Sequence, residues 1–136
     1  MRDSPEFSLA MNAHDQVPLA SQPGLAMVSL WGALEALFHA GRSELRFRVS
    51  ALIAAYLEPP GAGRLELQRQ IAKLYDARSS AAHGRKDDEV GPVRDAFVLM
   101  RRVLTRIIEN SHVQTRDELE ELLLGGVWPP RSGPGV

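Results

Sequence analysis

Apolar residues recur at intervals of three and four positions through most of the chain, the spacing of one face of an α-helix. The first such stripe begins at Met27, and Gly41 predicts the end of that helix. The second follows Ser43, a suitable N-cap, and stops at Pro59-Pro60-Gly61, where prolines remove backbone donors. We therefore expect two amphipathic helices joined by a short loop.

Two longer helices are expected in the next part of the chain. The third opens near Arg64 and runs toward Arg78, with apolar residues on one side. The fourth begins at Pro92, a favoured first-turn residue, and Asn110 supplies a left-handed stop. Its apolar residues have the most regular three- and four-residue spacing in the chain, so this helix is the one that the sequence predicts most clearly.

A short fifth helix is predicted by a capping box. Thr115 and Glu118 have the spacing at which each side chain caps the other's backbone, and the helix then runs through Leu124. No alternating strand pattern appears anywhere. The predicted fold is all-α, an antiparallel bundle of four to five helices.

The two ends of the chain lack this periodicity. Residues 1–24 contain scattered prolines, which predicts a flexible lead-in with little order. The stretch Asp3-Ser4-Pro5-Glu6-Phe7 also resembles a cloning-site junction, and on that interpretation the chain is a fragment of a longer protein behind a vector Met. Residues 126–136 form a Pro/Gly tail in which Trp128 is available to pack back, leaving residues 25–125 as the helical domain.

Composition narrows the class of protein. The 136 residues are 44% hydrophobic and 24% charged, typical of one globular domain, and the net charge of -1 argues against a generally basic surface for nucleic acid. The absence of cysteine excludes disulfides and thiolate sites and fits a reducing cytoplasm. No apolar run long enough for a membrane helix and no signal-peptide order is visible. We expect a cytoplasmic protein that does not bind a membrane.

Most enzyme signatures are missing from the chain. It has no phosphate-binding glycine loop, no His-Glu-x-x-His and no nucleophile elbow. Its four histidines are His14, His39, His83 and His112, and they show no metal-ligand spacing. We expect neither a metal nor a cofactor.

One stretch stands out, Leu74-Tyr75-Asp76-Ala77-Arg78-Ser79-Ser80-Ala81-Ala82-His83-Gly84, in which four residues separate Arg78 from His83. It resembles the HEPN superfamily of helical bundles, marked by an Arg and a following His at a helix end. The segments 31–38, with its Leu34-Glu35-Ala36-Leu37-Phe38, and 43–49 extend the resemblance to the Apea-like HEPN group.

The resemblance implies a function. Active members are metal-independent endoribonucleases whose Arg and His lie in a cleft between two subunits, and others are binding modules or partners of antitoxins in defence systems. For this chain it implies a homodimer in which Arg78 and His83 are catalytic, with His83 as general acid/base and Arg78 as phosphate clamp. RNA is then the substrate, and an antitoxin or a larger parent protein is a further partner.

Arg78 and His83 also have purely structural interpretations. Arg78 shares a helical stripe with Leu67 and Leu74, so it either snorkels at the bundle's edge, pairs with a buried acid such as Glu35, or faces a partner subunit. His83 is equally an inert histidine at a helix end. On an unbroken helix, residues five apart diverge by about 140°, so a joint site requires either a distorted 79–81 segment or two subunits.

Four further residues are predicted to bind substrate: Ser79, Tyr75, Lys73 and Arg85. Residues 64–86 hold six basic and two acidic residues, a local basic density suited to an anionic ligand. Ser79 would orient phosphate or simply lie in a turn, and Tyr75 would stack a base or cover the core.

A second Arg and His pair, Arg106 and His112, has similar spacing, but Arg106 is expected on the solvated face of the fourth helix. Three hypotheses remain. The chain is an HEPN-type endoribonuclease, a non-catalytic HEPN module that binds RNA, a nucleotide or a protein, or a plain helical interaction domain.

Overall fold

The computed structural model describes residues 4–16, 22–82 and 90–133. Within these ranges it contains six α-helices and no strand, which confirms the all-α fold and adds one helix to the predicted bundle. The helices are α1 (Pro5–Gln16), α2 (Pro23–Leu37), α3 (Leu45–Leu57), α4 (Ala62–Ala82), α5 (Val90–Asn110) and α6 (Arg116–Leu124).

The core is built around α2 and α3. Helix α2 packs against α1, α4 and α5, while α3 packs against α4 and α6. Every residue from Val49 to Leu57 is buried, so α3 is enclosed on all sides over its last turns. The largest enclosed side chains are Trp31 of α2 and Tyr56 of α3. No helix in the described ranges combines the length and the apolar character needed to cross a bilayer.

Helix α1 differs from the predicted flexible lead-in, which was wrong for residues 5–16. Phe7, Ala10 and Ala13 are buried in the common core. Ser4 caps the helix, since its hydroxyl accepts the Phe7 N–H at 3.2 Å, and Pro5 occupies the first turn, where its missing donor costs nothing. The residues that resemble a cloning junction therefore act as a helix start.

Several helix ends also differ from the predictions. Helix α2 begins at Pro23 and ends at Leu37, before Gly41, because His39 already adopts a left-handed φ of 48°. Helix α3 is not capped by Ser43: its N-cap is Glu44, with a φ of 51° and no side-chain cap. Helix α5 includes Asn110, and the left-handed residue is the next one, at a φ of 52°.

Helix α6 and the tail follow the sequence-based predictions closely. Glu118 N–H donates to the Thr115 hydroxyl at 3.2 Å and Thr115 N–H donates to the Glu118 carboxylate at 2.8 Å, which confirms the capping box. Trp128 packs against the core. The Gly133 N–H donates to the Asn110 carbonyl at 2.7 Å, so the tail is attached to the end of α5.

Candidate functional site

Helix α4 carries the residues singled out by the sequence. Ile71 and Tyr75 are buried and Leu67 and Leu74 are partly buried, so this side of the helix faces the core. Arg78 follows one turn after Leu74 and is held at the edge of that face. The backbone remains helical through Ala82, so residues 79–81 are not distorted.

Arg78 lies against an acid on α2. Its Nη2 is 3.8 Å from the Glu35 Oε1, and the two side chains are 26% and 19% exposed. This is the second of the three alternatives for Arg78. The distance is longer than a hydrogen bond. Arg78 Nε and Glu35 Oε1 are both buried without a hydrogen-bond partner among the described residues, so the pair is close but loosely joined.

Burial affects the acid of this pair. It raises the pKa of Glu35 above its usual value, and the Arg78 cation offsets only part of that rise. A carboxyl in this position is held in its charged form largely by the neighbouring guanidinium. The state of Glu35 and the position of Arg78 are therefore coupled.

Tyr75 lies under Arg78. The guanidinium is 5.6 Å from the centre of the Tyr75 ring, which also contacts Trp31 edge-on at 5.3 Å. Tyr75 is 7% exposed, and burial raises the pKa of its phenol. This favours the interpretation that Tyr75 covers the core and leaves little ring surface on which a base could stack.

The other predicted site residues are placed only in part. Lys73 is exposed on α4, and Ser79 belongs to the helical backbone of α4. His83 and Arg85 lie outside the described residues. The structure thus brings Tyr75 and Arg78 together with Glu35, a residue that the sequence indicated only as one possible partner.

The second Arg and His pair has other partners. Arg106 is half-buried rather than fully solvated as expected: its guanidinium lies 5.4 Å from the centre of the Trp128 ring, and its Nη2 donates to the Leu57 carbonyl at 3.5 Å. His112 shares a hydrogen bond of 2.7 Å with Glu118. These two residues stabilise the helix ends and the tail.

Part of the basic segment is also structural. Arg64 donates to three carbonyl oxygens, those of Glu58 at 2.9 Å, Ala55 at 3.1 Å and Leu122 at 3.1 Å. Asp76 forms two hydrogen bonds with Arg46, at 2.8 and 3.1 Å. Of the basic residues of the segment within the described ranges, Arg69 and Lys73 are exposed and Arg78 is half-buried.

Two surface grooves were not indicated by any sequence pattern. One, of about 430 Å³, lies between α3 and α6 and is lined by Phe47, Leu52 and Leu123 among others. The other, of about 350 Å³, lies between α4 and α5 beside Leu74 and Val98. Within the described residues, no three His, Asp or Glu side chains are grouped so that they could hold a metal ion.

Comparisons with protein families and with solved structures gave no match for this chain. The likeness to HEPN proteins therefore rests on the sequence around Arg78 and His83 and on the segments in α2 and α3.

Proposed function

We propose that the protein is an HEPN-type, metal-independent endoribonuclease that acts as a homodimer, with Arg78 as phosphate clamp and His83 as general acid/base. The observation that carries the proposal is that the Arg78 guanidinium is partly exposed and is not hydrogen-bonded to its neighbouring acid. Its guanidinium lies at the end of an apolar stripe, 26% exposed, beside a carboxylate that it does not hydrogen-bond. An arginine so placed retains donors for a further anion.

The chemistry follows from the two side chains. Histidine near neutral pH can take the proton of a ribose 2′-hydroxyl or give one to the leaving 5′-oxygen. A guanidinium can hold the charge that builds on the phosphorus oxygens during attack. Neither role needs a metal ion.

The dimer is supported by the backbone of α4. Because this helix is continuous through Ala82, a distorted 79–81 segment is not available to turn the two side chains toward each other. A continuous helix favours the other arrangement, in which Arg78 of one subunit acts with His83 of the other in a shared groove. Light scattering is expected to give a dimer, and a monomer at tens of micromolar would remove this composite site.

The cleavage experiment uses RNAs of diverse sequence in EDTA. We expect products with 2′,3′-cyclic phosphate ends and no cleavage of DNA, because the 2′-hydroxyl is the nucleophile. His83→Ala is expected to lower turnover at least about a hundred-fold with RNA affinity nearly unchanged, whereas Arg78→Ala weakens both.

Two matched variants control for charge and for histidine content. Arg101→Ala removes an exposed arginine from α5, outside the basic 64–86 segment. His39→Asn replaces an exposed histidine that has a left-handed backbone conformation, which asparagine tolerates. Both are expected to cleave like wild type. If purified protein leaves all RNAs uncut, the nuclease proposal is wrong.

The Glu35 contact favours a second candidate, a non-catalytic helical module. A partly buried carboxylate 3.8 Å from Arg78 accounts for this arginine without any ligand. RNA binding without cleavage would identify a non-catalytic binding module. If neither cleavage nor RNA binding occurs and Arg78→Ala lowers only the melting temperature, the protein is a plain interaction domain.

A further inference from the structure

Glu35 and Arg78 form an ion pair that is only partly satisfied. Their nearest atoms are 3.8 Å apart, and each contributes a buried polar atom without a hydrogen-bond partner among the described residues. Such atoms are costly to bury, because neither water nor protein replaces the hydrogen bonds they lose. The arrangement is therefore one that another hydrogen-bonding group could improve.

A phosphate is the group that fits a guanidinium best besides a carboxylate. Both groups can accept two N–H donors from one arginine. Each two-donor face of the guanidinium includes Nη2, the Arg78 nitrogen nearest Glu35, so a bidentate phosphate engages the group that faces the carboxylate. A phosphate that binds Arg78 bidentately would draw the guanidinium away from Glu35. Glu35, 19% exposed, would then be a carboxylate without its counter-charge.

A partly buried carboxylate that has lost its counter-charge is unfavourable in its charged form, and it relieves this by taking up a proton. Resting on the proposed role of Arg78 in holding phosphate, we propose that Glu35 and an RNA phosphate compete for the Arg78 guanidinium, and that Glu35 takes up one proton from solvent as the phosphate binds. Glu35 thus acts as a regulator of RNA binding: acid protonates it and makes Arg78 available.

The groups that face Glu35 are few in the described part of the chain. From α4 these are Arg78, which lowers its pKa, and Tyr75, whose phenol is influenced by the Glu35 charge. Neither α1 nor α5, the other helices packed against α2, places a charged group against Glu35 within the described ranges. Among the groups that the structure describes, the proton taken up on binding is therefore assigned to Glu35.

The experiment measures binding of a 2′-O-methyl oligouridine by fluorescence anisotropy in a His83→Ala background. The modified ribose cannot be cleaved, uracil does not titrate between about pH 5 and about pH 8, and the substitution removes the histidine nearest in sequence to Arg78. Ionic strength is held constant and circular dichroism confirms folding at each pH. The remaining pH dependence then reports groups such as Glu35.

With Glu35 present, affinity is expected to rise as pH falls, by up to about ten-fold per pH unit, the limit for uptake of one proton. Adding Glu35→Gln is expected to abolish this slope and to give affinity at pH 8 at least equal to that of the parent. Asp76→Asn is the matched control, since it removes from α4 one acidic side chain that pairs with Arg46 rather than with Arg78. It should keep the slope.

Two results would overturn the inference: an unchanged slope in Glu35→Gln, or weaker binding of that variant at pH 8, which would mean that Glu35 positions Arg78 rather than competes for it. The cleavage assay is independent. If the protein never cuts RNA but its RNA affinity shows the Glu35-dependent pH slope, the nuclease proposal is wrong and the proposed competition between Glu35 and phosphate is retained. If the protein cuts RNA but its affinity shows no such slope, the nuclease proposal is retained and the proposed competition is wrong.

Discussion

Replacing Arg64 by alanine should destabilise the fold strongly, although this arginine looks like one of several on α4. Its guanidinium donates to carbonyls near the end of α3, at Ala55 and Glu58, and to Leu122 in α6. These carbonyls have no partner further along their own helices, so Arg64 supplies the hydrogen bonds that the helix ends lack.

The expected magnitude follows from these contacts. Each hydrogen bond contributes about 1 kcal/mol net, and a cation near a helix C-terminus adds roughly 0.3 to 1 kcal/mol. Because Arg64 is only partly buried, water replaces some of what is lost, and we expect Arg64→Ala to cost about 2 to 4 kcal/mol. Lysine has one charged group and cannot reach all three carbonyls, so Arg64→Lys should recover only part of this.

Urea unfolding followed by far-UV circular dichroism measures the free energy of unfolding of each variant. Arg69→Ala is the control, because Arg69 lies on the same helix and is exposed, and it should change stability by less than about 0.5 kcal/mol. A loss below about 0.5 kcal/mol in Arg64→Ala would refute the structural role assigned to its three hydrogen bonds.

Three more predictions concern stability. Phe7→Ala should cost about 3 kcal/mol in urea unfolding, since Phe7 is 8% exposed in the core, whereas a flexible lead-in would give no loss. Thr115→Ala should lower the free energy of unfolding by about 1 kcal/mol by removing the α6 cap. Burial pushes the pKa of Glu118 up, but hydrogen bonds from Thr115 and His112 outweigh it and hold that pKa below its usual value. Ionised Glu118 therefore stabilises the fold above the pKa that it has in the unfolded chain, and this stabilisation is lost as pH falls through its pKa in the folded protein. The free energy of unfolding of Glu118→Gln should therefore fall less steeply in acid than that of wild type, in urea unfolding curves measured across pH.

The sequence predicts helices well where apolar spacing and an end signal agree. Helix α6 is the best case, because the Thr115 and Glu118 capping box is a local device that needs no tertiary contact. Helix α1 was missed because two of its three buried residues are alanines, Ala10 and Ala13, which mark a core face only weakly. The start of α3 was missed because Glu44 adopts a left-handed conformation that is rare for its type.

The site could be predicted only in outline. The position of Arg78 on an apolar stripe correctly indicated Glu35 as one possible partner, because a buried edge favours opposite charges. The loose geometry of that pair depends on how α2 and α4 pack and has no local signal. The role of Arg64 was also invisible, since its three acceptors come from separate segments.

The two tryptophans of the chain have very different optical surroundings. Trp31 is 0% exposed in the core, whereas Trp128 is partly exposed beneath the guanidiniums of Arg64 and Arg106, 5.8 and 5.4 Å from its ring. An anionic quencher such as iodide is concentrated by those two cations and excluded from the core. Quenching by iodide therefore reports Trp128, and the emission that survives it reports Trp31. Detachment of the C-terminal segment and loss of the core become two separate fluorescence signals from the unlabelled protein.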